Sequence, residues 1–133
     1  MRFLGIDYGT KRVGVAIGDM ENRLALPLRT LKEEKQAEVI AALCRLIKEE
    51  DVSGVVLGEP TTLAGERGQA AEHVRAFGVA LETACAPIPV FFVDERFSSA
   101  LADRETPITG GDRDATAAAA ILQTYLDMQR PVL

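Results

Sequence analysis

Apolar and polar residues alternate along two stretches near the N-terminus, at residues 2–8 and 12–19. This period of two is the pattern of a β-strand, in which successive side chains point to opposite faces of the sheet. The segment "YGTK" between the stretches contains a glycine, which favours a tight turn. The sequence therefore predicts a β-hairpin, with Asp7 inside its first, otherwise apolar strand.

The rest of the chain predicts three more strands and three helices. Apolar residues at helical spacing indicate the helices, and short apolar runs indicate the strands. The predicted strands are 23–30, 52–60 and 88–96, and the predicted helices are 35–50, 69–84 and 112–129. Pro27 is typical of an edge strand. A short helical segment at 98–103 and a breaker loop, "TPITGG" at 106–111, precede the last helix.

The order of these elements is βββ-α-β-α-β-α. Three antiparallel strands followed by two parallel strands, each reached through a helix, describe a mixed five-stranded α/β sheet with helices on its faces. This is the order of the ribonuclease H-like fold, and we expect residues 1–133 to form one such domain. In this topology we expect strands one and five to run side by side in the same direction, with the last helix packed across them.

Composition limits the possible partners only weakly. The 133 residues include 15 Lys and Arg against 20 Asp and Glu, which gives a net charge of −5. This charge argues against extensive wrapping of nucleic acid, whose non-specific binding is driven by cations, but it allows a local basic site or charge supplied by a metal. There is no signal-peptide core and no apolar run of about 18 residues. These features predict a cytoplasmic protein that does not bind a membrane.

The two cysteines, Cys44 and Cys85, are far apart in the sequence and belong to no CxxC motif or histidine cluster. Such a pattern does not favour structural zinc. We expect two reduced, buried thiols, as is usual in a cytosolic protein.

Three acids lie at element ends or interiors and not on a solvated face. Asp7 is inside the first strand, Glu95 lies where the fifth strand ends, and Asp114 lies in the first turn of the last helix, on the stripe that faces the sheet. Together they predict one site for Mg²⁺ or Mn²⁺, since these ions prefer hard oxygen ligands and can support phosphodiester hydrolysis. Asp114 could instead cap its helix, and "DER" at 94–96 could be an exposed turn.

The cations near these acids predict a phosphate-binding surface. Gly9 allows a close backbone approach, the Thr10 hydroxyl can donate a hydrogen bond, and Lys11, Arg12 and Arg96 can hold the scissile phosphate. Lys11 and Arg12 could also serve only to keep a hairpin tip soluble.

The motifs that carry these residues closely resemble those of the YqgF family, described as pre-16S rRNA nucleases and as Holliday-junction-resolvase-like proteins. They are "GIDYGTKRVGVAIGD" at 5–19, "VVLGEP" at 55–60, "DERFSS" at 94–99 and "DATAAAAILQTYLD" at 114–127. The resemblance implies a ribonuclease H-like fold and functional acids at Asp7, Glu95 and Asp114. It also implies maturation of the 5′ end of small-subunit ribosomal RNA, or resolution of branched DNA.

Two features depart from the family pattern. Glu59 stands where relatives carry an apolar residue before the proline of the fourth strand, and it could be a fourth carboxylate of the site or, as we slightly favour, a solvated strand-end residue. The loop "ETPITGGDRD" at 105–114 has a single basic residue, Arg113, where relatives have a longer basic loop. This difference affects the expected substrate preference more than the expected chemistry.

Other functions remain open at this point. The acidic net charge and the short loop are compatible with a nucleic-acid-binding module that has no catalytic activity. "GIDYGT" at 5–10 also resembles the phosphate loop of sugar kinases and actin, although those proteins close two such domains around ATP and this chain has room for one. The small side chains of the last helix fit packing on the chain's own sheet, or contact with a second copy in a homodimer.

Overall fold

The computed structural model describes residues 1–9, 11–32, 35–60, 68–95 and 113–129. These residues form five strands and three long helices, close to the predicted ranges. They are β1 (Arg2–Tyr8), β2 (Val13–Asp19), β3 (Leu24–Leu31), α1 (Gln36–Glu49), β4 (Val52–Glu59), α2 (Gln69–Ala84), β5 (Val90–Asp94) and α3 (Arg113–Met128). The predicted helical segment at 98–103 and the loop at 106–111 lie outside the described residues.

The strands form one mixed sheet in the order β3-β2-β1-β4-β5. The first three strands pair antiparallel, and β4 and β5 run parallel to β1. The predicted ribonuclease H-like α/β fold is therefore confirmed.

The predicted neighbourhood of the first and fifth strands is wrong, because β4 lies between them. Nearly all of β4 is buried, including its last six residues. A strand covered on both faces and both edges belongs in the interior of a sheet, so β5 is left to pair at the outer edge of β4. Although β1 and β5 are separated, both run in the same direction and end at the same edge of the sheet.

Each face of the sheet has its own hydrophobic core. Helices α1 and α2 cover one face, where Leu43 and Phe77 are completely or almost completely buried against strand residues such as Leu57. Helix α3 covers the other face and buries Ala118 and Leu122 completely. The small side chains of the last helix are thus used in packing on the chain's own sheet.

The cysteines differ from the prediction. Cys44, in α1, and Cys85, just after α2, form a disulfide, and both residues are only half-buried. The two helices pack side by side on one face of the sheet, which brings the two Cα atoms to 5.7 Å, within the range that a disulfide requires. Sequence spacing alone could not show this proximity.

Among the described residues, no helix is both long enough and apolar enough to cross a membrane.

We expect chemical reduction of this disulfide to destabilise the protein. The bond joins residues separated by 41 positions, and for a loop of this length the chain-entropy estimate of the stabilisation is about 4 kcal/mol. Urea unfolding with and without dithiothreitol should show this difference, and a Cys44→Ser variant should be insensitive to the reductant. Two free thiols in protein kept without reductant would contradict the disulfide.

Candidate active site

Asp7 lies near the end of β1, on the face that α3 covers. Gly5, two residues earlier on the same face, is so close to α3 that an added Cβ atom would collide with Leu122. Asp7 itself is half-buried and is directly paired with Gly14 of β2. The period-two pattern therefore places this carboxylate beneath the N-terminal end of α3.

Glu95 reaches Asp7 by crossing β4. It is the first residue after β5, and its side chain lies over Gly58, where an added Cβ atom would be 2.8 Å from Glu95 Oε1 and 2.9 Å from its Cγ. The register pairs Ile6 with Leu57, so Gly58 is level with Asp7. Because glycine has no side chain, a carboxylate from one strand can pass over the next strand and form a hydrogen bond with Asp7.

Asp114 approaches from the opposite side of Asp7. It lies in the first turn of α3, and its backbone carbonyl sits directly on Gly14, where an added Cβ atom would overlap it. The row of residues across the sheet thus reads Gly14, Asp7, Gly58, with one glycine on each side of the acid. These glycines leave the space that the other two acids occupy.

The carboxyl groups of this site shift the pKa values of one another. Burial raises the pKa of Asp7; the hydrogen bond with Glu95 lowers it, and the charge of Asp114 raises it. Burial, followed by the charge of Asp7, raises the pKa of Glu95 to about 7. The hydrogen bond therefore favours holding the shared proton on Glu95, which donates to Asp7, and the two groups titrate as a pair.

Only some of the predicted substrate-binding residues belong to the part of the chain that the structure describes. The Gly9 amide donates to the Arg12 carbonyl at 3.0 Å, and an added Cβ atom at Gly9 would lie 2.6 Å from the same oxygen, so the tight turn between β1 and β2 explains this glycine. Arg12 Nε lies 3.4 Å from Asp114 Oδ2, and Lys11 is exposed. Thr10 and Arg96 lie outside the described residues, so their contacts with substrate remain predictions.

Glu59 is not the solvated residue that we favoured. Its side chain is only 10% exposed, and its Oε2 accepts a hydrogen bond from Arg75 Nε in α2. Glu59 follows Gly58 in β4 and so lies on the opposite face of the sheet from Asp7, where Arg75 was too distant in sequence to be recognised as its partner.

The three acids do not yet form a closed metal site. Within the described ranges, no three acidic, histidine or cysteine side chains lie close enough together to hold one ion as they stand. Asp7 and Glu95 are in contact, whereas the Asp114 carboxylate is engaged by Arg12. What the arrangement provides is a set of hard oxygen donors at one edge of the sheet.

The sequence pattern indicated the acids but not the two glycines that allow their approach. Gly14 and Gly58 each interrupt an apolar strand, in "VGVAIGD" and "VVLGEP". A glycine within a strand often marks a close approach of another group, which was the available signal.

Without divalent metal, we expect the stability of the protein to fall as the pH rises from 4.5 to about 7. Glu95 has its pKa raised from 4.5 to about 7, so over this interval the folded chain retains a proton that the unfolded chain has released. The stabilising contribution is complete below pH 4.5 and is lost as the pH passes 7. Glu95→Gln, which stays neutral, should therefore unfold at a higher temperature than the parent at pH 8 but not at pH 4.5.

The matched control for this pH series is Glu49→Gln, at an exposed position in α1. Its melting temperature should follow that of the parent protein across the series. If Glu95→Gln also ran parallel to the parent, Glu95 would not carry a raised pKa, and the described contact with Asp7 would be wrong.

Comparisons with known proteins identify the family and the fold of this chain. A profile of the RuvX family, described as Holliday junction resolvase, matches residues 1–128. A protein of Chloroflexus aurantiacus named "Putative pre-16S rRNA nuclease" is 40% identical over 134 residues, covering 96% of this chain and 87% of that protein. A protein of the same name from Rhodobacter capsulatus is 39% identical over 130 residues, covering 92% of this chain and 81% of that protein.

Two solved structures share the fold. The RuvC protein of Thermus thermophilus, in complex with a Holliday junction substrate, superimposes with a TM-score of 0.68 at 18% identity and covers 97% of both chains. The fowlpox virus resolvase, in complex with Holliday junction DNA, gives 0.57 at 11% identity and covers 96% of this chain and 98% of that one. The match of the family profile across nearly the whole chain, together with the 40% identity to the Chloroflexus protein, shows that this chain belongs to the RuvX family, also called YqgF, as its motifs predicted.

Proposed function

We propose that this protein is a divalent-metal-dependent endonuclease that hydrolyses phosphodiester bonds in structured nucleic acid. The observation that carries this proposal is the meeting of Asp7 and Glu95 beside Asp114, at the edge of the sheet where β1 and β5 end. Half-buried carboxyl groups in contact are costly to a fold and have strongly shifted pKa values, and such groups cluster at functional sites, so their proximity favours a functional role over a structural one.

The leading substrate is the 5′ end of precursor 16S ribosomal RNA. The names of relatives at 39–40% identity support it, since these proteins match most of this chain. Branched DNA is the second candidate, favoured by the description of the RuvX family as Holliday junction resolvase. A module that binds nucleic acid without cleaving it is the outcome if neither substrate is cut.

Asp7 and Glu95, with Asp114, are the residues that would hold Mg²⁺ or Mn²⁺. The fit lies in the donor set: two carboxylates share a hydrogen bond, and a third is close enough for its charge to raise the pKa of Asp7. When bound, such an ion activates a water molecule and stabilises the oxygen that leaves the phosphorus. When Glu95 loses its proton, the oxygens of both the Asp7 and the Glu95 carboxylates become available to a metal ion. Metal-supported activity should therefore increase as the pH rises through about 7.

The neighbouring cations would bind and orient the phosphate. Arg12 already lies beside Asp114, and a guanidinium at this position can contact a phosphate oxygen next to the carboxylates. Lys11, in the same turn, offers a further positive charge. We assign three further residues to this surface from their positions in the sequence: Gly9, Thr10 and Arg96.

Two further aspects of the function stay predictions. We propose a cytoplasmic location, because the names of the relatives indicate a role in ribosome assembly. A homodimer is compatible with the proposal, although α3 uses its small residues on the chain's own sheet.

Replacing Asp7 with asparagine should abolish cleavage. The change removes a carboxylate that we assign to the metal, so activity should fall by more than about 100-fold, beyond what loss of an outer partner of a metal ligand usually costs. The measurement compares precursor 16S rRNA and a four-way DNA junction side by side, each with Mg²⁺, Mn²⁺ or a chelator.

Asp127→Asn provides the matched control, because Asp127 is an exposed residue in the last turn of the same α3 helix. It should retain the cleavage rate of the parent. Equal activity in Asp7→Asn and the parent would assign the cleavage to a contaminant or to another site, and absence of cleavage in every condition would leave the binding module as the function.

Replacing Gly58 with alanine should separate Glu95 from Asp7. The added methyl group would lie 2.8 Å from Glu95 Oε1 and 2.5 Å from Ile121 Cδ1, and both flexible groups must move away. Overpacking of this kind costs about 1–3 kcal/mol of stability. Displacing a catalytic group by about 1 Å can cost on the order of 100-fold in rate, so cleavage should fall much more than stability.

Gly54→Ala is the matched control for this variant, since Gly54 lies on the same face of β4. An alanine there would collide with the ring of Phe3, at 2.7 Å from its Cε2, and not with an acid. We expect a similar loss of stability with cleavage retained. Equal losses of activity in the two variants would show that overpacking, and not the position of Glu95, is responsible.

A further inference from the structure

The face of the sheet opposite the acids carries an ion pair between a buried carboxylate and a partly exposed arginine at the same end of β4. Glu59, the last residue of this strand, is 7% exposed, and its carboxylate is bound by Arg75 from α2. Gly58, immediately before it, is the residue over which Glu95 passes. The ion pair therefore lies directly behind the point where the carboxylates meet.

Arg75 also contacts the neighbouring strand. Its guanidinium carbon lies 4.1 Å from the ring centroid of Phe92, in β5, a distance typical of a cation–π interaction. Arg75 is thus in contact with β4 through Glu59 and with β5 through Phe92. One side chain of α2 therefore contacts the end of β4 and the middle of β5.

β5 is a short strand at the edge of the sheet, and its last residue immediately precedes Glu95. β5 has five residues, is the outermost strand and pairs with β4. Glu95 follows its last residue, Asp94, which is level with Glu59 in the register. Any shift of this strand end relative to β4 moves Glu95 across Gly58 and changes its distance from Asp7.

We propose that Arg75 and Glu59 are positioning residues, which fix the end of β5 against β4 so that the Glu95 carboxylate meets Asp7. The importance of this placement for cleavage rests on the proposed function. Neither residue contacts the substrate in this role; both act through Glu95.

A purely structural role is the competing explanation. An ion pair with one buried and one partly exposed partner is a weak source of stability, because desolvation of the carboxylate and screening by solvent both reduce its net contribution. The geometry adds a reason for a planar cation here: only arginine can bind a carboxylate through Nε and lay its guanidinium on an aromatic ring at the same time. The two explanations differ in what happens to Glu95 when the pair is removed.

The test compares the variants Arg75→Met, Arg75→Lys and Arg2→Met with the parent protein. Arg2 forms an ion pair with Glu50 at 3.3 Å at the opposite end of the sheet, so Arg2→Met is the matched control. Mn²⁺ affinity is measured by calorimetry on substrate-free protein, kcat and KM are measured by cleavage, and the separation of the Asp7 and Glu95 carboxylates is measured in a crystal structure of Arg75→Met.

We expect Arg75→Met to bind Mn²⁺ about 10- to 100-fold more weakly and to lose kcat by a similar factor with KM unchanged, as for other residues that orient metal ligands. Arg75→Lys, which keeps the charge, should recover part of the loss, and Arg2→Met should resemble the parent. In the Arg75→Met crystal, the Glu95 carboxyl should lie beyond hydrogen-bond distance of Asp7.

Parent-like Mn²⁺ affinity together with an unchanged Asp7–Glu95 hydrogen bond in Arg75→Met would overturn the proposal and leave the pair a structural role. If Arg75→Met does not fold, Glu59→Gln, which keeps the size of the side chain and removes its charge, is measured in the same way. If the parent protein neither binds Mn²⁺ nor cleaves nucleic acid, the proposed function fails, and the crystal structure still decides whether Arg75 positions Glu95.

Discussion

The contact between the Asp7 and Glu95 carboxyl groups is the constraint on which the rest of this structure depends. Burial and mutual repulsion make two ionised carboxylates unfavourable here, and the pair responds by keeping a proton on Glu95, whose pKa is raised to about 7. The proton between the two carboxyl groups neutralises one negative charge. A divalent cation in its place would neutralise two. The repulsion that makes the site costly to fold is thus the same repulsion that the proposed divalent cation would relieve.

The sheet accommodates this contact because a glycine, which has no side chain, lies on each side of Asp7 in the neighbouring strands. Gly58 lets Glu95 cross a whole strand, and Gly14 lets the first turn of α3 rest on β2. Both positions lose the packing that a larger side chain would give, and glycine weakens a strand interior. The two cores, one on each face, supply the stability that this end of the sheet lacks.

Much of this architecture could be predicted from the sequence, because periodicity is a local property. Asp7 stood out as an acid in an apolar strand, and Asp114 as an acid on the buried stripe of a helix. Relations between distant elements could not be predicted in this way. The order of the elements did not show that β4 separates β1 from β5, and no local pattern connected Glu59 with Arg75 or Cys44 with Cys85.

The errors have a common physical origin, since each involved an interaction across the sheet or between helices packed side by side. This distinction also explains why three acids from distant parts of the sequence could be recognised before their geometry was known. An acid in an apolar strand or on the buried stripe of a helix can be recognised from its own position in the sequence. The contact between the acids depends on other residues, namely two glycines and an ion pair, which take no part in the proposed reaction. The proposed catalytic groups lie on the face of the sheet that α3 covers. The residues proposed to position them, Arg75 and Glu59, lie on the face that α2 covers.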